Sequence, residues 1–319
     1  MHELVAVVGP TATGKSDLAV DLALALGAEV VNADAMQLYR GMDIGTAKLT
    51  HGQRRGVPHH QLDVLDVRDE ATVAGYQRHA RADLAAITAR GRRPLLVGGS
   101  GLYLRAVLDR LEIPPTDPVV RAGLEAELDD VGPGVLHRRL ADADPAAAAA
   151  ILPGNARRVV RALEVIAITG QPFSATLPAA EYAAPAVQLG LRLDRDELDR
   201  RIEQRVDRMW ADGLVDEVRA LLPAGLAQGR TAPRALGYAQ VLDLLAGRVT
   251  EQDARDATVA ATRRLARRQM GWFGRDPRVH WLDAADPRLV ERARELVARH
   301  VAGDLPAPAD AGTRRRLGA

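Results

Sequence analysis

The stretch GPTATGKS, residues 9–16, has the glycines, the lysine and the hydroxyl needed to hold a phosphate group. It fits the pattern G-x-x-x-x-G-K-[ST] at every fixed position, between a β-branched run and a stretch with helical spacing. In such a loop, backbone N–H groups and the following helix N-terminus bind phosphate oxygens, Lys15 neutralises charge and Ser16 ligates Mg²⁺. A kinase, an ATPase and an enzyme that expels pyrophosphate could all use this loop, so it predicts phosphate binding without defining the reaction.

Two further candidate residues follow apolar runs. Asp34 is the only acid at the end of an early predicted strand, and it could be a metal ligand, an N-cap or a general base. Ser100 lies between glycines in GGSGLYL, where the glycines favour either close approach of a ligand or a turn into a helix capped by the serine. The third predicted strand, LLVGGSG, ends in glycines, whereas an ATPase usually has an aspartate there that helps to hold Mg²⁺.

Arginines at i,i+4 spacing indicate a polyanionic partner. Arg157 and Arg161 share one face of a predicted helix, and Arg263 and Arg267 share another beside Trp272. Between residues 255 and 278, seven arginines stand against two aspartates. Arginine forks suit phosphodiester oxygens, and nearby aromatic rings suit base contacts. The alternative for both rows is a solvated basic face.

The composition narrows the class of protein. The 319 residues are 47% apolar, carry a net charge of +1 and include no cysteine. Disulfides, thiolate nucleophiles and cysteine-bound metals are therefore excluded. No apolar run approaches the roughly 20 residues of a membrane span, and no signal segment opens the chain, so we expect a cytoplasmic protein.

Lysine is unusually rare in this chain. The 43 basic residues include only two lysines, Lys15 and Lys48. A compact ammonium acts as a point charge, which the planar guanidinium cannot reproduce, so Lys48 is a candidate for a specific contact; sequence drift is the alternative.

Nearby, His59, His60 and Asp63 could suggest a metal site. Adjacent residues in a strand point to opposite faces, however, so we expect structural hydrogen bonds there.

The order of the predicted elements indicates how these residues are positioned. Strands are predicted at residues 3–9, 28–34 and 92–99, and helices at residues 16–26 and 72–90. This alternation predicts a parallel α/β sheet, in which ligands bind beyond the carboxyl ends of the strands. The phosphate loop, Asp34 and Ser100 all follow strand ends, so we expect them to converge on one cleft.

Composition shifts divide the rest of the chain. We predict a first part of the α/β core at residues 1–112, a helical insertion at residues 113–188, a core completion with basic helices at residues 189–302, and a disordered tail at residues 303–319. The stretch QLGLRLDRDELDRR, residues 188–201, is expected to begin with a strand and lead into one long helix that ends near Leu222, and another helix is expected at residues 251–275.

Nine segments, taken together, resemble those of the tRNA dimethylallyltransferases, the isopentenyl-pyrophosphate transferases that modify the adenosine next to the tRNA anticodon. In chain order they are GPTATGKS, DAMQLYR, GTAK, PHH, GGSGLYL, RRVVRALEV, RIEQRV, RALGYAQ and RRLARRQMGWF. The resemblance implies an α/β fold with a P-loop NTPase-like parallel sheet and a helical insertion domain. It also implies transfer of the dimethylallyl group from dimethylallyl pyrophosphate to N6 of adenosine 37, with release of pyrophosphate.

The resemblance also implies roles for individual residues. Asp34 would be the general base, and Lys15 and Ser100 would act beside it, with serine in place of the family's usual threonine. Mg²⁺ would be held by Ser16. The pyrophosphate would be bound by Gly9, Pro10, Thr11, Ala12, Thr13, Gly14, Lys15, Ser16 and Arg205. The tRNA anticodon stem-loop would contact Asp34, Ala35, Met36, Gln37, Ser100, Arg121, Arg157, Arg158, Val159, Val160, Arg161, Arg263 and Arg267. A monomer without membrane contact is expected.

Two departures and three alternatives accompany this resemblance. Ala35 replaces a serine that is common in the family, and Gly154-Asn155 replaces a frequent Asn-Asp pair. A related enzyme that prenylates free adenylate would not need the insertion or the arginine rows. A nucleotide kinase or NTPase would need an acid at the end of the third strand. A non-catalytic RNA-binding module would not need to keep Lys15, Ser16 and Asp34 intact.

Overall fold

The structure is a computed structural model that describes residues 3–176, 180–305 and 308. The chain divides into two compact units. The first combines the described residues up to Leu108 with those from Tyr182 onward, and the second is Asp109–Glu181. Most of the tail predicted at residues 303–319 lies outside the described residues. Within them, no helix has both the length and the apolarity needed to cross a membrane.

The first unit is built on a six-stranded parallel sheet with the strand order β3-β2-β4-β1-β5-β6. The strands are β1 Leu4–Val8, β2 Ala28–Asn32, β3 His59–His60, β4 Arg93–Gly98, β5 Ala186–Arg192 and β6 Val279–Asp283. The predicted parallel α/β fold is therefore confirmed. The strands predicted at residues 3–9, 28–34 and 92–99 are β1, β2 and β4, and the strand predicted at the start of QLGLRLDRDELDRR is β5. Strand β5 begins inside the range predicted for the insertion, because its first residues are apolar and pair with β1.

Twelve α-helices complete the described fold. They are α1 Lys15–Leu26, α2 Val73–Ala89, α3 Gly101–Leu108, α4 Pro118–Val131, α5 Pro133–Ala143, α6 Pro145–Ala150, α7 Ala156–Thr169, α8 Arg195–Ala211, α9 Leu214–Leu221, α10 Tyr238–Leu245, α11 Glu251–Phe273 and α12 Leu289–Ala302. The predicted helices at residues 16–26, 72–90 and 251–275 are confirmed as α1, α2 and α11. The single long helix to Leu222 is wrong. It is interrupted at Gly213, whose left-handed φ of 98° suits glycine and separates α8 from α9.

Helices cover both faces of the sheet. Val5 and Val7 of β1 face α1 and α12, whereas Leu4, Ala6 and Val8 face α2 and α3. Alternate residues of a strand point to opposite faces, so a strand buried on both sides is apolar throughout. Full burial of a leucine such as Leu22 of α1 stabilises the fold by about 1.5–3 kcal/mol. This packing fixes the strand ends that carry the site.

The second unit is helical. Helices α4 to α7 pack around an apolar cluster that includes Leu136, Leu140 and Leu163. Asp117 caps α4 by accepting hydrogen bonds from Val119 N and Val120 N. Asp144 caps α6 by accepting one from Ala147 N. The helical character predicted for residues 119–170 is confirmed.

Candidate functional site

A cleft lies at the carboxyl ends of β1, β2 and β4, within the first unit. Its lining includes the phosphate loop from Thr11 to Ser16, Asp34 and Gln37, the strand end at Gly98 and Gly99, and Arg205 of α8. Ser100 adjoins it, because its Oγ lies 3.5 Å from Ala35 N. The expected convergence of the loop, Asp34 and the Ser100 turn is confirmed, since parallel strands present their carboxyl ends at one edge.

The phosphate loop leads directly into α1, which begins at Lys15. The loop is braced internally: Thr13 Oγ1 donates to Pro10 O at 2.9 Å, and Lys15 Nζ donates to the same oxygen at 2.6 Å. The unpaired N–H groups in the first turn of α1 and the positive end of its dipole favour an anion at this point. The loop therefore has the geometry of an anion-binding site.

Thr11 is held from two sides by residues distant in the sequence. Gln269 of α11 accepts a hydrogen bond from Thr11 N at 2.8 Å and donates one to Gly99 O at 3.0 Å. Arg205 Nη1 donates to Thr11 Oγ1 at 2.8 Å. Gln269 was absent from the sequence prediction, and its only signal was its place in the segment RRLARRQMGWF. It joins the phosphate loop to the end of β4.

Asp34 directly follows Ala33 at the end of β2 and caps a short 3₁₀ helix, Ala35–Leu38, by accepting a hydrogen bond from Met36 N at 2.9 Å. Asn32 fixes its backbone, since the Asn32 amide accepts from Asp34 N and donates to Asp34 O, each at 3.1 Å. The N-cap alternative is thus confirmed. Burial raises the pKa of Asp34, and the Met36 N–H, Lys15 and Arg205 only partly oppose this.

The cleft concentrates positive charge. Burial and the neighbouring Arg205 together lower the pKa of Lys15 to about 7, although Asp34 acts in the opposite direction. Burial also lowers the pKa of Arg205. Two poorly solvated cations beside a helix N-terminus are stabilised when an anion binds between them. The electrostatics of the cleft therefore favour a multiply charged anion such as pyrophosphate.

The residues of the segment PHH make structural hydrogen bonds, as predicted. The ring of His59 bonds through Nδ1 to Val57 O at 2.8 Å, and that of His60 bonds through Nε2 to Glu29 Oε2 at 2.8 Å. Arg90 also donates to Glu29. In the part of the chain that the structure describes, His, Asp and Glu side chains form no cluster of three that could hold a metal ion.

Several residues predicted to contact tRNA lie in the second unit and differ in exposure. Arg157 and Arg158 at the start of α7 are exposed. Val159 and Val160 are buried in the apolar cluster, so their side chains are directed into the core and not toward a ligand. Arg121 and Arg161 both donate to Glu164 Oε2, at 2.6 and 2.7 Å, and the Glu164 side chain is fully buried.

The remaining predicted contacts lie in the first unit. Met36 and Gln37 belong to the 3₁₀ helix beside the cleft, and Gln37 Nε2 donates to Thr46 O at 3.0 Å. On α11, Arg263 forms an ion pair with Glu203 at 2.6 Å, whereas Arg267 is exposed. The two arginines of this row therefore differ: one is tied to α8, and the other is open to solvent.

Comparisons with known proteins identify close relatives. The family described as IPP transferase matches residues 37–276, and the one described as isopentenyl transferase matches residues 2–63. The chain is 64% identical over 305 residues to a tRNA dimethylallyltransferase of Thermobifida fusca strain YX, covering 94% of this chain and 96% of that protein. It is also 64% identical over 294 residues to one from Salinispora arenicola strain CNS-205, covering 92% and 86% respectively.

Solved structures also align with nearly the whole of this chain. A full-length tRNA isopentenylpyrophosphate transferase of Bacillus halodurans aligns with a TM-score of 0.70 and 41% identity, over 96% of this chain and 97% of that one. A eukaryotic dimethylallyltransferase acting on tRNA aligns with a TM-score of 0.84 over 98% of this chain and 82% of that one. At 24% identity, the second likeness shows a shared fold alone.

Proposed function

This chain belongs to the IPP transferase family, and we propose from that membership that it is a tRNA dimethylallyltransferase. It transfers the dimethylallyl group from dimethylallyl pyrophosphate to N6 of an adenosine in tRNA and releases pyrophosphate. The observation that carries the proposal is 64% identity, over 94% of the chain, to a protein of that name. We further propose that the target is adenosine 37 in the anticodon stem-loop, and that the enzyme acts as a cytoplasmic monomer.

The phosphate loop suits the departure of a leaving group. An allylic carbon ionises readily once the negative charge on its leaving group is stabilised. Catalysis therefore needs a site that binds pyrophosphate and stabilises its charge. The α1 N-terminus, Lys15 and Arg205 supply positive charge around Thr11 to Ser16. Because burial and Arg205 lower the pKa of Lys15 to about 7, a bound pyrophosphate would restore its protonated form.

The cleft also offers oxygen donors of the kind that Mg²⁺ prefers. Ser16 lies in the first turn of α1, and Asp17 lines the same cleft. Ser16 would hold the ion together with pyrophosphate oxygens. A bound Mg²⁺ would supply Lewis-acid stabilisation of the charge that develops on the leaving group.

Asp34 would activate the acceptor. The exocyclic amine of adenine is a poor nucleophile, so a carboxylate that takes its proton would accelerate attack by about 10²–10⁴-fold. Asp34 faces the same cleft as Lys15, and burial raises its pKa toward the range in which a carboxylate is a useful base. Gln37 lines the cleft close to Asp34 and would orient the adenine.

The exposed arginines suit an RNA acceptor better than a free nucleotide. A base that reacts inside a cleft must first leave its stack, and the enzyme must hold the flanking backbone while it does so. The exposed Arg157 and Arg158 in the second unit and Arg267 in the first are suited to that backbone. A mononucleotide would need none of these contacts.

One experiment separates the candidate functions. The protein is incubated with Mg²⁺ and dimethylallyl pyrophosphate, together with either unmodified tRNA or AMP, and the digested nucleosides are analysed by mass spectrometry. Prenylated adenosine from tRNA alone is the expected result. Product from AMP alone would instead assign the chain to the enzymes that prenylate free adenylate, and product from neither would refute the transferase function.

A further inference from the structure

Lys48, the second of the two lysines, has a buried ammonium with three acceptors. Its side chain is 2% exposed, and Nζ donates to Tyr39 O at 2.9 Å and to the carboxylates of Asp43 and Asp63 at 2.6 Å each. An ammonium has three N–H donors, so each donor has one partner. The three acceptors come from two segments, residues 39–43 and the turn at Asp63, which Lys48 thereby joins.

Both segments continue to the wall of the cleft. Thr46, Ala47 and Leu49, which flank Lys48 in the sequence, line the cleft. Gln37 is held between the segment that carries Lys48 and the turn at Asp63. Its side-chain Nε2 donates to Thr46 O at 3.0 Å, and its backbone carbonyl accepts from Asp63 N at 3.4 Å. The ammonium of Lys48 therefore ties together the two pieces of backbone that fix Gln37.

The backbone around this contact is strained. Ala47 and Asp63 adopt left-handed φ values of 51° and 57°, although neither is a glycine. This conformation is unfavourable for residues other than glycine and persists only where surrounding contacts determine it. Asp63 is held in this conformation while its carboxylate accepts from Lys48, so the ion pair stabilises a turn that would otherwise relax.

We propose that Lys48 is a positioning residue for the acceptor adenosine. Its ammonium fixes Gln37 and the wall formed by Thr46, Ala47 and Leu49, which lines the same cleft as the phosphate loop. The inference rests on the proposed function, since it concerns the orientation of the attacking base.

The geometry also explains why lysine stands here in a chain otherwise rich in arginine. Three acceptors converge on one nitrogen within 2.9 Å, which matches a point charge. A guanidinium would spread five donors over a plane and displace the acceptors.

The test compares Lys48→Arg and Lys48→Met with a control, Arg55→Lys, a surface residue that pairs with Asp21. The kcat and KM for tRNA are measured together with the affinity for inorganic pyrophosphate. Both Lys48 variants are expected to lower kcat/KM for tRNA by about 10- to 100-fold, the loss typical of a misplaced reacting group. Their affinity for pyrophosphate is expected to match that of the wild type, as is every value for Arg55→Lys.

Amide hydrogen exchange, measured without substrates, gives a second readout. Lys48→Arg is expected to speed exchange in residues 34–50 and to leave residues 9–26 unchanged. Wild-type kcat/KM in Lys48→Arg would overturn the proposal, and so would an equal loss of pyrophosphate affinity, which indicates general disruption. If the wild-type protein forms no prenylated product, the proposed function fails, and hydrogen exchange alone decides: unchanged exchange in residues 34–50 overturns the positioning role.

Discussion

Replacing Asp34 with asparagine separates the two tasks of this carboxylate in the cleft. One task is structural, because Asp34 caps the 3₁₀ helix Ala35–Leu38 through the 2.9 Å hydrogen bond from Met36 N. The other is the proposed removal of a proton from the attacking amine. Asparagine keeps an oxygen that accepts the bond from Met36 N, but it is not a base. Alanine at the same position removes both functions.

The two losses have different magnitudes. A positioned general base contributes about 10²–10⁴-fold to the rate. At 1.36 kcal/mol for each factor of ten, this is about 3–5 kcal/mol of activation free energy. Loss of the cap costs about 1 kcal/mol of folding stability. We therefore expect Asp34→Asn to lose turnover by that factor at wild-type stability, and Asp34→Ala to lose both turnover and stability.

The dependence of turnover on pH provides a separate signature. Burial raises the pKa of Asp34, against the opposing Met36 N–H and Lys15. A base acts in its ionised form, so wild-type turnover falls as the pH drops through this raised value, above the ordinary aspartate pKa of about 3.9. This fall is the acidic limb of the pH profile, and it should be absent from the residual rate of Asp34→Asn.

The assay is single-turnover prenylation of tRNA with saturating enzyme, combined with filter binding and thermal denaturation. Filter binding should give a wild-type dissociation constant for tRNA with Asp34→Asn, because the carboxylate acts in the chemical step. Wild-type turnover in this variant would refute Asp34 as the base. An acidic limb that persists would place the titrating group elsewhere.

Three other changes test separate parts of the structure. Arg157→Ala with Arg158→Ala should weaken tRNA binding. The slope of the logarithm of the binding constant against the logarithm of the salt concentration should fall by about 2, one for each lost phosphate contact. An unchanged slope in filter-binding titrations would indicate that these arginines only form a solvated face. Gln269→Leu leaves Thr11 N and Gly99 O without their partner in the folded protein, so the free energy of unfolding should fall by about 1–3 kcal/mol; a denaturation curve with wild-type stability would contradict this. Glu164→Gln breaks the buried ion pairs to Arg121 and Arg161 and should cost about 3–5 kcal/mol of stability. Burial alone would raise the pKa of Glu164, but the two guanidiniums hold it below its ordinary value. The ionised form of Glu164 therefore stabilises the fold above about pH 4.3, and this contribution is lost as the pH falls through the lowered pKa. Denaturation curves with the same pH dependence in variant and wild type would contradict the assignment.

The sequence predicted those parts of the fold that depend on local signals. The β-branched run of β1 ends at Gly-Pro, and α1 ends at Gly27, so both elements could be located from their own residues. Strand β3 has only two residues and forms by pairing with β2, so no local pattern marks it. The break at Gly213 was missed because a single glycine does not always end a helix.

The candidate site shows the same division between local and distant information. The phosphate loop and Asp34 could be predicted because a motif and a strand end identify them. The hydrogen bond from Thr11 to Gln269 joins residues 258 positions apart, and nothing in either segment specifies the other. Lys48 could be singled out because lysine is rare in this chain. Its contacts with Tyr39, Asp43 and Asp63, however, depend on how the intervening loop folds.

The end of β4 supports the proposal that the phosphate loop holds a departing group. A P-loop ATPase usually places a Mg²⁺-binding aspartate at this position. At Gly98 a Cβ atom would lie 2.4 Å from Ala33 O, and at Gly99 it would lie 2.3 Å from Gln269 Nε2. Both distances are shorter than van der Waals contact. The neighbour at Gly98 is backbone, so a side chain has no room there, whereas a side chain at Gly99 would have to displace the end of the Gln269 side chain. The nearby acid, Asp34, follows the end of β2 instead, and its proposed role is to take a proton from an acceptor amine and not to activate water against a γ-phosphate.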